Sequence, residues 1–90
     1  MKIKPEFRLK TIAGEHMVIP TGKASTYFNG IITLNESGKL LFEILEHGCT
    51  KGTLVHTLID RYDIDKATAE KDVASFLNTL NEKNVIDKNG

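Results

Sequence analysis

Residues 1–90 are predicted to form one α+β domain, in which three antiparallel strands precede three helices. Residues 6–34 follow the two-residue apolar period of strands, whereas residues 36–83 follow the period of helices. A chain of 90 residues is too short for two separate cores. Strands that come before helices are typical of an α+β domain, in which the sheet buries one face on a helical layer.

The strand prediction depends on alternation and on turn residues. Apolar and charged residues alternate over 7–10, which indicates a strand with one solvated face. Gly14 and Glu15 are suited to a turn, so residues 17–19 are predicted to return as the second strand of a hairpin. The third strand is predicted over residues 30–34, which are rich in β-branched side chains.

The helix prediction depends on apolar spacing and on capping residues. The three helices are predicted over residues 36–47, 51–63 and 66–83. Each follows a residue that can cap its first turn, namely Asn35, Thr50 and Asp65. Gly38 carries a small cost inside the first helix. Asn84 is suited to left-handed backbone after the last helix, and Val85 and Ile86 are expected to pack against the sheet.

Composition and charge exclude several classes of protein. Twelve Lys and Arg residues balance twelve Asp and Glu residues, so the chain has no overall field that attracts nucleic acid or an anionic membrane. Its one cysteine cannot form an internal disulfide, and it has no run of eighteen apolar residues. Residues 1–10 contain no apolar run of signal-peptide length. We therefore expect a cytoplasmic protein that does not enter a membrane.

A set of spaced residues between about 28 and 86 carries more specific information. The set comprises GIITLNESG at 30–38, LFEIL at 41–45, Gly48, Thr50, Leu54, Val55, Leu58, YDID at 62–65, Ala69, Asp72, Val73, Phe76, Leu77 and Leu80. In this combination the sequence resembles the PqqD-like family, the precursor-peptide recognition elements of ribosomally made, post-translationally modified peptides. The sequence departs from the family pattern at Gly38, where a better helix former is expected, and at Asn84, which replaces a glycine.

The resemblance implies a winged-helix-like domain of three strands packed on three helices, with no catalytic centre. No cofactor or metal site is expected. The resemblance also implies that the domain captures the leader segment of a precursor peptide. The domain then presents this segment to a modifying enzyme, such as a radical S-adenosylmethionine enzyme or a leader peptidase. In such domains the leader adds as a strand beside the third strand and lies between that strand and the third helix.

The predicted peptide site combines the third strand with one flank of the third helix. Backbone groups on the strand come from Ile31, Ile32, Thr33 and Leu34. Alternation places Ile32 and Leu34 on one face and Ile31 and Thr33 on the other. We expect Ile32 and Leu34 to meet the helices because Leu34 leads directly into a buried helix, and the inverted register is the other interpretation. On the helix, the flank with small alanines is expected to admit a large peptide side chain, and its residues and rim are Ala67, Glu70, Lys71, Ala74 and Asn78. The opposite flank carries Asp72, Thr79 and Lys83.

A DNA-binding regulator is the alternative function that a winged-helix shape suggests. Its third helix should then be basic. In this chain the basic residues of that helix are balanced by Glu70, Asp72 and Glu82, which disfavours contact with phosphates. Basic residues exceed acidic ones only in residues 1–29, which we interpret as a solvated strand face; an acidic partner there is the other interpretation.

Catalysis by this chain is not expected. The candidate metal-binding or nucleophilic side chains are His16, His47, Cys49 and His56, and no HExxH, CxxC, GxSxG, Walker or GxGxxG pattern accompanies them. Ile31 and Phe42 are expected to face outward, which suggests contact with another chain, although Phe42 could instead cover the margin of the core. An open edge at the third strand would also let two copies pair as a homodimer.

Overall fold

The part of the chain that the computed structural model describes, residues 1–28 and 30–89, forms five strands and four helices. Asn29 and Gly90, which belong to the predicted domain, lie outside the described residues. The first elements are the strands β1 (Lys2–Ile3), β2 (Phe7–Ile12) and β3 (Glu15–Pro20), the short helix α1 (Ala24–Tyr27) and the strand β4 (Ile32–Leu34). The remaining elements are the helices α2 (Glu36–Glu46), α3 (Lys51–Tyr62) and α4 (Lys66–Glu82) and the strand β5 (Ile86–Asp87). The prediction of an α+β fold with N-terminal antiparallel strands is confirmed.

The hairpin of β2 and β3 is in register along the whole of both strands and closes where Ile12 pairs with Glu15. Ala13 and Gly14 make its two-residue turn, with φ values of 52° and 82°. Two successive left-handed residues form a turn whose twist matches that of the flanking strands. The hairpin is as predicted, but its turn begins one residue earlier and Glu15 already belongs to the second strand.

The strand β4 lies at the edge of a three-stranded sheet with the order β2-β3-β4. It is antiparallel to β3, with Leu34 opposite His16 and Ile32 opposite Val18. The predicted third strand is therefore present but shorter than expected. Gly30 has a φ of 94°, in the left-handed region, and strand pairing begins only at Ile32.

Side-chain caps set the starts of the three long helices. Asn35, Thr50 and Asp65 each accept a hydrogen bond from the backbone N–H three residues later, over 2.8, 3.2 and 2.7 Å. Two left-handed residues follow helices: Asp63 after α3, with a φ of 52°, and Asn84 after α4, with a φ of 60°. The three predicted caps and the predicted conformation of Asn84 are confirmed.

The strands β1 and β5 form a separate two-stranded sheet, in which Ile3 lies opposite Ile86. The Lys4 backbone N–H extends this pairing by donating to the Val85 carbonyl over 2.9 Å. Val85 and Ile86 are buried, as expected, but their partner is β1 rather than the larger sheet. The sequence does not predict β1 because two residues are too few to show a period.

The helix α2 is central to the hydrophobic core, since it contacts β1, β2, β4 and α3. Because α2 is covered on several sides, Phe42 is fully buried, with no exposed surface, and the prediction that it faces outward is wrong. Ile31 is 56% exposed, as predicted. No helix within the described residues combines the length and the apolar character needed to cross a membrane.

Candidate functional site

A groove lies between the edge strand β4 and one flank of α4. It encloses a cavity of about 360 Å³, which is within the usual size range of binding sites. The start of α2 contributes Asn35, Ser37 and Gly38 to its wall. Its floor consists of three almost fully buried leucines, Leu41, Leu58 and Leu80. The groove thus combines an apolar floor with polar groups at its rim.

The strand side of the groove offers backbone hydrogen-bonding groups. Within residues 1–28 and 30–89, β4 pairs with β3 and with no other strand. In an antiparallel ladder, alternate residues direct both N–H and C=O toward the partner strand, while the others direct them away. Some backbone groups of β4 therefore point toward the open edge, where an extended segment of another chain can pair with them.

The side chains of the third strand alternate as predicted. Ile32 is 8% exposed and Leu34 is half-buried, so both face the helical layer and line the groove. Thr33 is exposed and also lines the groove. Ile31 precedes β4 and does not line it. Three of the four predicted strand residues thus meet at the groove.

The helix side of the groove is not the flank that the sequence predicts. Its lining residues are Asp72, Ser75, Phe76 and Thr79. The predicted residues Ala67, Glu70, Lys71, Ala74 and Asn78 are all exposed and do not line it. A helical wheel identifies the buried stripe but treats the two flanks beside it as equivalent. The packing of α4 against α3 decides which flank faces β4, and that packing is not visible in the period of the sequence.

The predicted flank lies elsewhere on the surface. Glu70 lines a separate cavity of about 350 Å³ together with Lys51, His56 and Lys66. The Asn78 side-chain amide donates to Glu82 Oε1 over 3.3 Å, within α4 itself. Glu70 thus adjoins α3 and Asn78 bonds within its own helix, and neither lines the groove beside the edge strand.

Gly38 lets α2 begin close to β4. A Cβ atom at this position would lie 3.2 Å from Asn35 Oδ1 and 3.4 Å from the Cβ of Leu34. A larger residue would press on both the helix cap and the strand. From the sequence alone this glycine is only a cost to the helix, whereas in the structure it permits a close approach between two groove-lining residues, Gly38 and Leu34.

Comparison with known proteins identifies the family of the chain. The model of the family described as "Coenzyme PQQ synthesis protein D (PqqD)" matches residues 15–86, which is most of the chain. The chain belongs to the PqqD family. The resemblance found in the sequence is thereby confirmed. A comparison with curated proteins finds no significant match to this chain.

Two solved structures share the fold of this PqqD-family chain. One is described as "TbiB1 in Complex with the TbiA(beta) Leader Peptide"; it has a TM-score of 0.79 and 23% identity, over 98% of this chain and 96% of that chain. The other is described as "Lasso peptide synthetase B1 complexed with the leader peptide"; it has a TM-score of 0.71 and 20% identity, over 90% of this chain and 89% of that chain. At these identities the likeness establishes a common fold.

A buried histidine beside the groove ties β3 to α2 in this PqqD-family chain. His16 is 8% exposed, its Nε2 lies 2.6 Å from Glu36 Oε1 and its Nδ1 lies 2.7 Å from the Thr11 hydroxyl. The hydrogen bond from His16, and next its charge, hold the pKa of the Glu36 carboxyl below its ordinary value. Because His16 also lies opposite Leu34, the contact holds the junction between β4 and α2 in place. The two residues are twenty positions apart in the sequence, and no local pattern reveals their contact.

The other titratable candidates do not gather into one site. In the described part of the chain, no three His, Cys, Asp or Glu side chains are grouped as a metal site requires. Burial raises the pKa of the Cys49 thiol, which lowers its thiolate fraction at neutral pH. His47 and His56 are exposed.

Proposed function

We propose that this chain is a non-catalytic adaptor that binds the leader segment of a ribosomally made precursor peptide and presents it to a maturation enzyme. The observation that carries this proposal is the edge strand β4, which has a cavity beside it and no strand on its outer side among the described residues. Membership of the PqqD family supports it. Two proteins of similar fold support it further, because each is described as a complex with a leader peptide.

In this proposal the leader adds as an extended strand to residues 31–34. Backbone hydrogen bonds then provide affinity that depends little on the leader's sequence, and side-chain pockets provide the specificity. The side chains that provide this specificity are those that line the groove on α4, namely Asp72, Ser75, Phe76 and Thr79. They replace those of the predicted flank, which contains Ala74. One apolar side chain buried on the leucine floor stabilises the complex by about 1.5–3 kcal/mol.

The family resemblance supports several more detailed parts of the proposal. We infer a winged-helix-like single domain over residues 1–90, a cytoplasmic location, and a partner enzyme such as a radical S-adenosylmethionine enzyme or a leader peptidase. Pairing of two copies through β4 is a further proposal, and it would compete with the peptide because both use the same edge. The charge of the groove is unfavourable for nucleic acid, since the described lining residues include Asp72 and neither Lys nor Arg.

The proposal is tested by titrating the ¹⁵N-labelled chain with synthetic leader segments taken from short peptide genes beside its own gene. Saturable shifts of the Ile32–Leu34 amides and of the Ser75 and Thr79 amides are expected with the cognate leader. A scrambled peptide and a DNA duplex serve as controls. Saturable binding that leaves all of these amides unshifted would refute strand addition at β4.

A further inference from the structure

A second cavity adjoins the groove at the start of α2. It has a volume of about 510 Å³ and shares Asn35, Ser37, Leu58 and Asp72 with the groove. Its other lining residues are Glu36, Tyr62 and Ile64. Because four residues belong to both cavities, a peptide that lies along β4 reaches the second cavity without leaving the surface of the protein. An extended peptide advances by about 3.3 Å per residue, so peptide residues a few positions apart can enter the two cavities.

The second cavity has an apolar wall with an exposed aromatic ring. Leu58 is 2% exposed and Ile64 is half-buried. Tyr62, the last residue of α3, is 42% exposed. An exposed tyrosine ring beside aliphatic side chains is a suitable surface for the flat face or the methylene stem of a long side chain.

The charged groups in the wall of both cavities are carboxylates. Asp72 lies between the cavities and forms no ion pair within the described residues, whereas Glu36 is paired with His16 and is also near Lys39. The described lining residues of both cavities include no Lys, Arg or His. Asp72 is thus an acceptor that remains available to a cation from another chain.

We propose that the second cavity binds a basic side chain of the leader peptide, arginine or lysine, and so selects leaders that carry one. This inference rests on the proposed function. The methylene stem lies on Tyr62 and Ile64, and the cationic end lies at Asp72. Arginine fits better than lysine, because its planar guanidinium can stack on the tyrosine ring while it donates to the carboxylate.

In the test, peptides that bind the immobilised full chain are selected from a display library of random 12-residue peptides. Selected peptides are synthesised, and those that shift the Ile32–Leu34 amides are kept. We expect these peptides to share an arginine or lysine at a constant distance from their apolar residues. In the peptides that carry arginine, replacing it with citrulline, which keeps the shape and removes the charge, should weaken binding about two- to fivefold, as for other partly exposed ion pairs.

The variant Asp72→Asn should abolish this difference, so that the arginine and citrulline peptides bind it equally. Asp60→Asn is the matched control, because it removes the same charge from an exposed position on α3 that lines neither cavity. If peptides that shift β4 lack a constant basic residue, or if Asp72→Asn still distinguishes arginine from citrulline, the inference is overturned while the proposed function stands. If no selected peptide shifts β4, the proposed function fails and this inference fails with it.

Discussion

Replacement of Ser75 by arginine should close the groove between β4 and α4. Ser75 is exposed, lines the cavity of about 360 Å³ and has a side chain far smaller than that of arginine. A side chain that occupies the groove prevents the peptide from burying one apolar anchor, which is worth about 1.5–3 kcal/mol. The dissociation constant for a leader peptide should therefore rise about 10- to 150-fold. Arginine is a good helix former, so the stability of the domain should change by less than about 0.5 kcal/mol.

The adjacent substitution Ala74→Arg provides the control. It adds the same charge and the same volume one residue away, on the exposed flank that does not line the groove. Fluorescence anisotropy with a labelled leader peptide should show wild-type affinity for Ala74→Arg and weakened affinity for Ser75→Arg, with both variants folded by circular dichroism. Weakened binding in Ala74→Arg alone would refute the assignment of the groove and favour the flank that contains Ala67, Ala74 and Asn78.

Three further predictions concern stability. Phe42→Ala should destabilise the domain by about 3–5 kcal/mol in urea denaturation, because Phe42 is fully buried; a loss below about 1 kcal/mol would show that it is not a core residue. The pKa of Glu36 is lower in the folded protein than its ordinary value of 4.5, so its contribution to stability is complete above pH 4.5 and is lost as the pH falls through the folded pKa. Glu36→Gln should therefore flatten this acid limb of the stability profile, and an unchanged limb would exclude the contact with His16 as its source. Gly38→Ala should raise the free energy of unfolding by less than the gain of about 1 kcal/mol that helix propensity predicts, because the added Cβ lies 3.2 Å from Asn35 Oδ1. The full gain in urea denaturation would show that the Asn35 side chain moves aside at no cost.

The position of the groove suits the proposed adaptor, which would hold a peptide and also meet a second protein. The proposed peptide edge is β4, while β2 lies at the opposite edge of the same sheet. The outer strand β2 carries the exposed basic side chains Arg8 and Lys10. A leader bound at β4 therefore leaves this basic edge uncovered.

Local chemistry in the sequence determined most of the elements of this fold. The caps at Asn35, Thr50 and Asp65 could be predicted because a cap depends on a side chain and on a backbone N–H three residues away. The hairpin could be predicted because strand alternation is equally local, and the inward face of Ile32 is favoured because Leu34 leads directly into the buried helix α2. The strand β1 could not be predicted, since its pairing with β5 joins residues more than eighty positions apart.

The sequence by itself determined that strands precede helices, that the third strand carries an apolar face, and that the chain resembles the PqqD family. Only the tertiary structure decided that Phe42 is buried, that His16 holds Glu36, and that Asp72 and Ser75 rather than Ala74 face the strand. The physical reason is that each of these depends on how elements far apart in the sequence pack together, which no local pattern records. A helical period identifies which stripe is buried but is the same for both flanks of that stripe, and the choice between them depends on how distant elements pack.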